Sequence, residues 1–202
     1  MKLFRSLRKV AARLYVRPTR AERHGHQSDG LVRLTFDDNG DADSIHAILE
    51  KLSEDRVRAG FFLIGDWVDD NPDLVAAIEA QGHWLGNHTR SHRRLRYLPP
   101  GGIYEQVVDG PGRLRPPFGD YGGRVRRVAA RLGMEIWYWT HDTRDWAADI
   151  TADEIIANGT RDLHPGAVIL LHLWAPRTPE ALPGLIREIR QRGLQLEELD
   201  GN

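Results

Sequence analysis

Apolar residues along this chain recur in two alternating patterns, one typical of buried strands and the other of amphipathic helices. Short apolar runs predict strands at residues 31–36, 59–64, 83–86, 135–139, 167–171 and 194–197, with a brief strand beginning at Leu114. Helical spacing predicts helices at residues 43–55, 72–81, 124–132, 151–161 and 179–192. Thr151 followed by Glu154 predicts a capping box at the start of one helix. The alternation predicts an α/β fold with parallel strand pairing.

Polar clusters follow five of these strands, at the point where each strand ends. Asp37-Asp38 come directly after the first strand. The other clusters are His88-Thr89-Arg90-Ser91-His92, Arg115-Pro116-Pro117-Phe118-Gly119, Asp142-Thr143-Arg144-Asp145-Trp146 and Leu170-Leu171-His172. In an α/β barrel the carboxyl ends of the strands carry the active site, so we expect the five clusters to form one site.

The residue types in the first two clusters indicate a metal site. Two histidines four residues apart, His88 and His92, can lie on one face of a helical turn and bind one ion, and a carboxylate from a strand end can supply a third ligand. Such a set leaves coordination positions open for water and substrate, and the second carboxylate is then placed to accept a proton. Considered alone, however, a strand-end Asp pair is usually a turn or a cap, and a lone His pair is usually structural.

The five clusters together resemble the motifs of the polysaccharide deacetylases, carbohydrate esterase family four, and they occur in the order found in that family. The first motif is Thr35-Phe36-Asp37-Asp38, and the resemblance extends from about residue 31 to the C-terminus. The family includes chitin and peptidoglycan deacetylases and acetylxylan esterases. The resemblance implies a distorted (β/α)7 barrel, and we expect a single catalytic domain over residues 29–202.

The resemblance also implies a role for each catalytic residue. Asp38, His88 and His92 are expected to bind a divalent ion, with zinc preferred and cobalt or nickel as alternatives. Asp37 is expected to be the general base, and its alternative is a second ligand or a cap. His172 is expected to be the general acid. Asp145 is the first candidate to keep that histidine protonated by charge pairing, and Asp142 is the second.

Further motif residues are expected to support catalysis or substrate binding. Arg115 is expected to pair with Asp37 or Asp145, or else to lie on the surface against the neighbouring prolines. Phe118 stands where many relatives have tyrosine, and the resemblance implies that its backbone N–H binds the oxyanion. Substrate-binding side chains are predicted at Trp146 and Leu170, around the acetyl methyl group, and at Trp174, which can stack on a sugar ring.

The stretch between His92 and Arg115 departs from the family pattern. Relatives often have a helix there, whereas this chain has Pro99-Pro100-Gly101-Gly102 and Pro111-Gly112. Proline and glycine favour turns and loops. We therefore expect an irregular segment that opens one wall of the substrate groove.

Composition and charge add few constraints. The chain has 202 residues and no cysteine, so disulfides and thiolate metal sites are excluded. Its net charge of −1 gives no case for a nucleic-acid partner. No apolar stretch reaches the length of a membrane span. Residues 1–28 form a separate basic segment and linker in which apolar residues recur at helical spacing. We expect an amphipathic helix there, which contacts an anionic surface weakly through residues 1–23; the alternatives are a helix packed on the barrel and a frayed tail.

These observations predict a metal-dependent hydrolase that removes N-acetyl groups from amino-sugar polymers. The alternatives are an O-acetyl esterase acting on xylan or a wall glycan, and a catalytically silent fold that binds a glycan. The expected partner is the acetylated glycan itself, and the sequence leaves the oligomeric state open. It has no recognisable secretory signal, whereas the substrate class points to the cell surface or the extracellular space.

Overall fold

The computed structural model describes residues 22–24 and 29–199, in which strands and helices alternate. The strands are β1 (Glu22–His24), β2 (Arg33–Asp38), β3 (Ala59–Leu63), β4 (Trp84–Asn87), β5 (Arg113–Leu114), β6 (Glu135–Tyr138), β7 (His141–Asp142) and β8 (Val168–His172). The helices are α1 (Ala42–Glu54), α2 (Gly65–Asp70), α3 (Pro72–Ala80), α4 (Pro100–Val107), α5 (Gly123–Arg131), α6 (Ala152–Thr160) and α7 (Thr178–Gln191). The predicted α/β class is confirmed.

The eight strands form one sheet in the order β1-β6-β5-β4-β3-β2-β8-β7. Strand β2 pairs in parallel with β8, and β8 pairs in parallel with β7. The β2–β8 register sets Asp37 opposite His172. The predicted C-terminal ends of these two strands were wrong, because both aspartates lie inside β2 and His172 lies inside β8. The ladder reaches this far because the Leu173 N–H donates to the Asp37 carbonyl.

The chain divides into two compact units. Apart from the N-terminal residues, unit 1 consists of Phe62–Asn71 and Leu85–Tyr138. Its core is formed by buried apolar side chains from the segments between Leu95 and Ile136, namely Leu95, Ile103, Val107, Leu114, Val125, Val128, Ala129, Met134 and Ile136. Burial of these side chains fixes α4 and α5, which each contribute apolar residues at helical spacing.

Unit 2 contains the described residues of His24–Phe61 together with Pro72–Trp84 and Trp139–Asn202. Strands β2 and β8 are buried along almost their whole length. Helices α1 and α7 each bury one apolar face. The predicted capping box is confirmed: the Thr151 hydroxyl accepts from the Glu154 N–H, while the Glu154 carboxylate accepts from the Thr151 N–H.

The expectation of an irregular segment between His92 and Arg115 was wrong, because helix α4 spans Pro100–Val107. Proline is compatible with the first helical turn, since its missing N–H has no partner there in any case. Gly101 and Gly102 each cost about 1 kcal/mol relative to alanine. Burial of Ile103 and Val107, one turn apart, offsets that cost.

Other differences concern short elements. Helix α2 and strand β7 were not predicted, and β1 lies within the predicted basic segment and linker of residues 1–28. The predicted strand at residues 194–197 was wrong: Leu196 forms only an isolated bridge with Val32. The predicted N-terminal amphipathic helix lies outside the described residues. Within the described residues, no helix is long and apolar enough to span a membrane. The predicted division at residues 28 and 29 stays a prediction.

Candidate active site

The two aspartates of the first motif are held at the C-terminal end of β2. Asp37 and Asp38 are both buried, and Asp38 adopts a left-handed conformation with φ of 75°. The Trp174 indole N–H donates to Asp38 Oδ2 at 2.8 Å. A buried carboxylate held in this way has a fixed orientation, as a metal ligand requires.

His88 and His92 are placed by an irregular turn and not by the helical turn that we predicted. Thr89 and His92 have φ of 69° and 54°, and the first helical residue after this turn is Leu95, which begins a short 3₁₀ helix. The Asn87 side chain organises the turn: its oxygen accepts from the Thr89 N–H at 2.8 Å, while its amide donates to the Val107 carbonyl at 2.8 Å. Sequence reasoning missed Asn87, although an asparagine before a turn is a recognised signal for side-chain capping.

The ring of His88 is held in one tautomer. Its Nδ1 lies 2.9 Å from the Arg115 carbonyl oxygen, and a carbonyl can only accept a hydrogen bond. Nδ1 therefore carries the proton, and Nε2 keeps a lone pair for a ligand. This arrangement is typical of a metal-binding histidine.

Asp38, His88 and His92 form a group that is able to bind a metal ion. Each offers one ligand atom, and the three atoms lie within 4.8 Å of one another. Two imidazole nitrogens and one carboxylate oxygen suit zinc and related divalent ions, and three protein ligands leave positions open. The donor set therefore fits a catalytic metal ion.

His172 is held by Asp145. Its Nδ1 lies 2.7 Å from Asp145 Oδ1, while Asp145 Oδ2 accepts from the His172 backbone N–H at 2.7 Å and from the Thr178 hydroxyl at 2.6 Å. Burial lowers the pKa of His172, but the hydrogen bond and charge of Asp145, together with the charges of Asp37 and Asp38, outweigh burial and raise the pKa above 6.5. Thr178 was not predicted, because it lies 33 residues from Asp145 in sequence.

The second candidate partner of His172, Asp142, has other contacts. Its Oδ1 accepts from the Arg144 N–H at 2.8 Å and from the Trp146 indole N–H at 3.3 Å. Asp142 therefore shapes the turn of its own motif.

Arg115 is fully buried, so the surface alternative for this residue was wrong. Its guanidinium carbon lies 3.9 Å from the centre of the Phe62 ring, within the range of a cation–π contact. Its carbonyl oxygen is the acceptor for His88. The pairing of Arg115 with Asp37 or Asp145 stays a prediction.

The predicted substrate-binding residues differ in exposure. Leu170 is 3% exposed, whereas Trp146 and Trp174 are 45% and 48% exposed. These two indoles contribute to a cavity of about 340 Å³, whose other lining residues are Asp145, Ala147, Ala148, Ile150, Pro176 and Arg177. The Trp174 ring also lies 5.6 Å from the His172 ring. An open, partly aromatic cavity beside these residues offers room for a sugar ring.

Phe118 is exposed and adopts an unusual backbone conformation. Its φ is 60°, and its side chain is 53% exposed. The His92 ring lies 4.6 Å from the Phe118 ring. A left-handed residue points its N–H in a different direction from a helical or extended one, so this conformation matters for any hydrogen bond that the Phe118 N–H makes.

Strained backbone is concentrated in the motifs. Seven non-glycine residues of the described chain have positive φ, and five of them belong to the motifs: Asp38, Thr89, His92, Phe118 and Arg144. Such conformations cost about 1 kcal/mol or more each and persist only where the surrounding structure enforces them. Their concentration marks the motifs as the functional part of the molecule.

Comparisons with known proteins agree with this geometry. Residues 24–137 match the family described as polysaccharide deacetylase. A chitooligosaccharide deacetylase from Bradyrhizobium is 30% identical over 194 residues, covering 83% of this chain and 88% of that protein. A peptidoglycan-N-acetylglucosamine deacetylase from Bacillus cereus is 32% identical over 194 residues, covering 87% of this chain and 69% of that protein.

Solved structures share the fold. A family 4 carbohydrate esterase from Streptomyces lividans, in complex with acetate, has a TM-score of 0.78 and 30% identity, with 83% of this chain and 92% of that chain covered. A family 4 pseudoenzyme from Bacillus anthracis has a TM-score of 0.79 and 28% identity, with 87% of this chain and 67% of that chain covered. The predicted fold, the distorted (β/α)7 barrel of these esterases, is thereby confirmed. The chain belongs to the polysaccharide deacetylase family, the family 4 carbohydrate esterases, whose named deacetylase members are hydrolases acting on C–N bonds.

Proposed function

We propose that this protein is a metal-dependent deacetylase that releases acetate from N-acetylglucosamine units of a glycan of the chitooligosaccharide or peptidoglycan type. The observation that carries the proposal is the Asp38–His88–His92 group, whose ligand atoms lie within 4.8 Å of one another. Relatives named for these two activities add support. Of the candidate ions we propose zinc, with cobalt or nickel as alternatives.

The fold by itself does not carry the proposal. The same fold occurs in a pseudoenzyme, and a mutant of that protein has restored activity, so the fold does not distinguish active from silent members. This chain contains three residues that are able to bind a metal ion together, and it contains a histidine–carboxylate pair. A protein that only binds a glycan has no need of both.

The proposed chemistry assigns one task to each group. Asp38, His88 and His92 would hold a divalent ion, which would supply a lowered pKa for a water molecule and polarisation of the acetyl oxygen. Asp37 accepts the proton of the attacking water, whose oxygen bonds to the acetyl carbon. The Phe118 N–H stabilises the negative charge that develops on the acetyl oxygen. His172 then donates its proton to the amine nitrogen as the C–N bond breaks, and Asp145 holds the protonated imidazole in place. The products are acetate and a free amino sugar.

The location and further partners follow from the substrate class. A glycan of the cell wall implies action at the cell surface, as expected for a protein with relatives named for peptidoglycan deacetylation. The weak anionic contact through residues 1–23 remains part of the proposal.

Acetate release tests the proposal directly. The protein is stripped of metal, reloaded with zinc, and assayed on a chitooligosaccharide, a peptidoglycan fragment and acetylxylan. Asp37→Asn should keep its metal and lose on the order of 10²–10⁴-fold in rate, as expected for a positioned general base. Asp38→Asn should lose metal first, and Asp73→Asn, an exposed helix position, serves as the control.

Each alternative has its own outcome. Acetate from acetylxylan alone would support the esterase. Glycan binding with no acetate from any substrate would support the silent fold. Equal metal loss in both aspartate variants would make Asp37 a ligand and leave another group as the base.

A further inference from the structure

Positive charge is concentrated in one segment of unit 1. Residues 85–138 contain ten arginines, no lysine and four acidic residues, whereas the whole chain has a net charge of −1. Helix α5 alone carries four arginines and no acidic residue. Such a distribution creates a local positive potential that the net charge conceals.

Three of these arginines form a stripe along α5. Arg124, Arg127 and Arg131 are spaced three and four residues apart, so they share one face of the helix, and all three are exposed. The stripe is about 10 Å long at 1.5 Å per residue. Among the described residues, no carboxylate forms an ion pair with any of the three.

The stripe continues towards His92 through Arg94 and Arg96, which precede α5 in the chain. The Arg124 guanidinium donates to the Arg96 carbonyl at 3.1 Å, and Arg94 and Arg96 both pair with Asp120. Arg94 lies 3.9 Å over the Phe118 ring, which in turn lies 4.6 Å from the His92 ring. We call Arg94, Arg96, Arg124, Arg127 and Arg131 the arginine surface.

Most of the charge on α5 does not stabilise the helix. Like charges three and four residues apart repel each other, and Arg124 lies in the first turn, where the helix dipole favours acidic residues; of the three stripe arginines only Arg131, in the last turn, is placed favourably for the dipole. Helix α6 shows the stabilising arrangement, with Asp153 and Glu154 in its first turn. An external anion would relieve the repulsion on α5.

From these contacts we infer that the arginine surface binds a glycan substrate that bears carboxylates on its sugars. This inference rests on the proposed deacetylase function and specifies its substrate class. Because the surface leads from the ligand His92, its occupant is the same glycan chain that reaches the metal-binding group. Arginine matches carboxylate by paired hydrogen bonds, and the exposed rings of Tyr97 and Phe118 offer faces for sugars.

The test compares two oligosaccharides of equal length, a neutral chitooligosaccharide and a peptidoglycan glycan strand freed of its stem peptides, in which alternate sugars bear a lactyl carboxylate. Acetate release should show a lower KM for the acidic strand at low ionic strength, and this advantage should shrink as salt screens the charges. The variant Arg127→Gln with Arg131→Gln should raise the KM for the acidic strand about tenfold, since each exposed ion pair contributes up to about fivefold. The kcat should be unchanged.

The matched control is Arg161→Gln with Arg187→Gln, which removes two exposed arginines of unit 2. The control should leave both KM values unchanged, and thermal melts of both double variants check that each is folded. Equal KM values for the two substrates, or equal effects of the α5 variant on both, would overturn the inference. Stronger competition by a phosphate polymer or by an oligonucleotide would also overturn it and identify a different partner.

Binding separates this inference from the proposed function. If neither oligosaccharide yields acetate, the deacetylase proposal fails. Calorimetric binding of the acidic strand to wild type and to the α5 variant then still decides the inference. Salt-sensitive binding that is weaker in the α5 variant supports the inference that the arginine surface binds the acidic strand. Binding that is undetectable, or that is unchanged in the variant, contradicts this inference.

Discussion

Two histidines in different parts of the molecule, His88 and His172, illustrate how a neighbouring atom decides the chemistry of a ring. Each has its Nδ1 within 2.9 Å of an oxygen, but for His88 the oxygen is the Arg115 carbonyl and for His172 it is the Asp145 carboxylate. A neutral carbonyl fixes the tautomer and adds no net charge, so it suits a ligand that must remain neutral. A carboxylate stabilises the charged ring, which suits a proton donor.

A third histidine shows the effect of burial without a carboxylate. His83 is buried beside Arg58, and burial together with that positive charge lowers its pKa to about 4. Its Nδ1 accepts from the Ala59 N–H at 3.3 Å. His83 is therefore a neutral core residue at ordinary pH, and burial alone cannot account for the raised pKa of His172.

The largest expected effect comes from removing one of the proposed metal-binding side chains, His88. His88→Ala should lose the metal ion and, with it, all detectable turnover, because two ligands remain of three. Metal content by mass spectrometry, measured beside the rate of acetate release, checks this. The exposed His46→Ala is the control. Full activity in a metal-free preparation would contradict the assignment.

Removal of the proposed acid should have the next largest effect. An amine leaving group needs a proton, whereas the phenoxide of an aryl acetate leaves without one. His172→Ala should therefore reduce amide hydrolysis by roughly 10²–10⁴-fold and aryl acetate hydrolysis much less. Rates on both substrates decide the point, and equal losses would mean that His172 orients or packs and does not donate a proton.

The Asp145 contact predicts a shift in pH dependence. Asp145 raises the pKa of His172, so Asp145→Asn should lower that pKa. Since His172 must be protonated to donate, activity falls as pH rises through its pKa, and the alkaline limb of the kcat/KM profile should move to lower pH. Asp142→Asn is the control, because Asp142 contacts its own turn. If the alkaline limb does not move in Asp145→Asn, the Asp145 carboxylate does not set the protonation of His172, and the contrast drawn between His172 and His88 is wrong.

The smallest effect is expected at Trp174. Its indole donates to Asp38 Oδ2, and loss of a hydrogen bond that orients a metal ligand typically weakens metal binding by about tenfold. Trp174→Phe should show this loss when the metal-free protein is titrated with zinc. Trp146→Phe, whose indole contacts Asp142, should bind zinc as the wild type does. Equal affinity in the two variants would limit Trp174 to substrate contact.

The sequence predicted where the motif residues lie better than it predicted the backbone conformation that carries them. Buried parallel strands are visible as apolar runs, so the ends that bear Asp37 and His172 could be found within a few residues. Helix α4 was missed because one proline and two glycines in its first turn favour a loop by local propensity. The helix depends on the burial of Ile103 and Val107, which local sequence does not show. The turn from His88 to His92 was predicted as helical because residue spacing carries no information on a left-handed φ.

Supporting contacts escaped prediction for a different reason. Asn87 and Thr178 act on motif residues through single hydrogen bonds, and neither has a pattern of its own. Thr178 meets Asp145 only because β8 and α7 bring distant residues together. Such contacts follow from the assembled fold and cannot be read from local sequence.

The left-handed residues of the motifs have a consequence for how this protein can evolve. Glycine adopts positive φ without steric cost, so replacing Thr89 or Arg144 by glycine relieves local strain. Thr89 and His92 are nevertheless joined by the Thr89 hydroxyl, which accepts from the His92 N–H at 3.1 Å. At Thr89, selection for heat resistance therefore favours glycine, whereas selection for turnover favours the hydroxyl that holds the His92 turn.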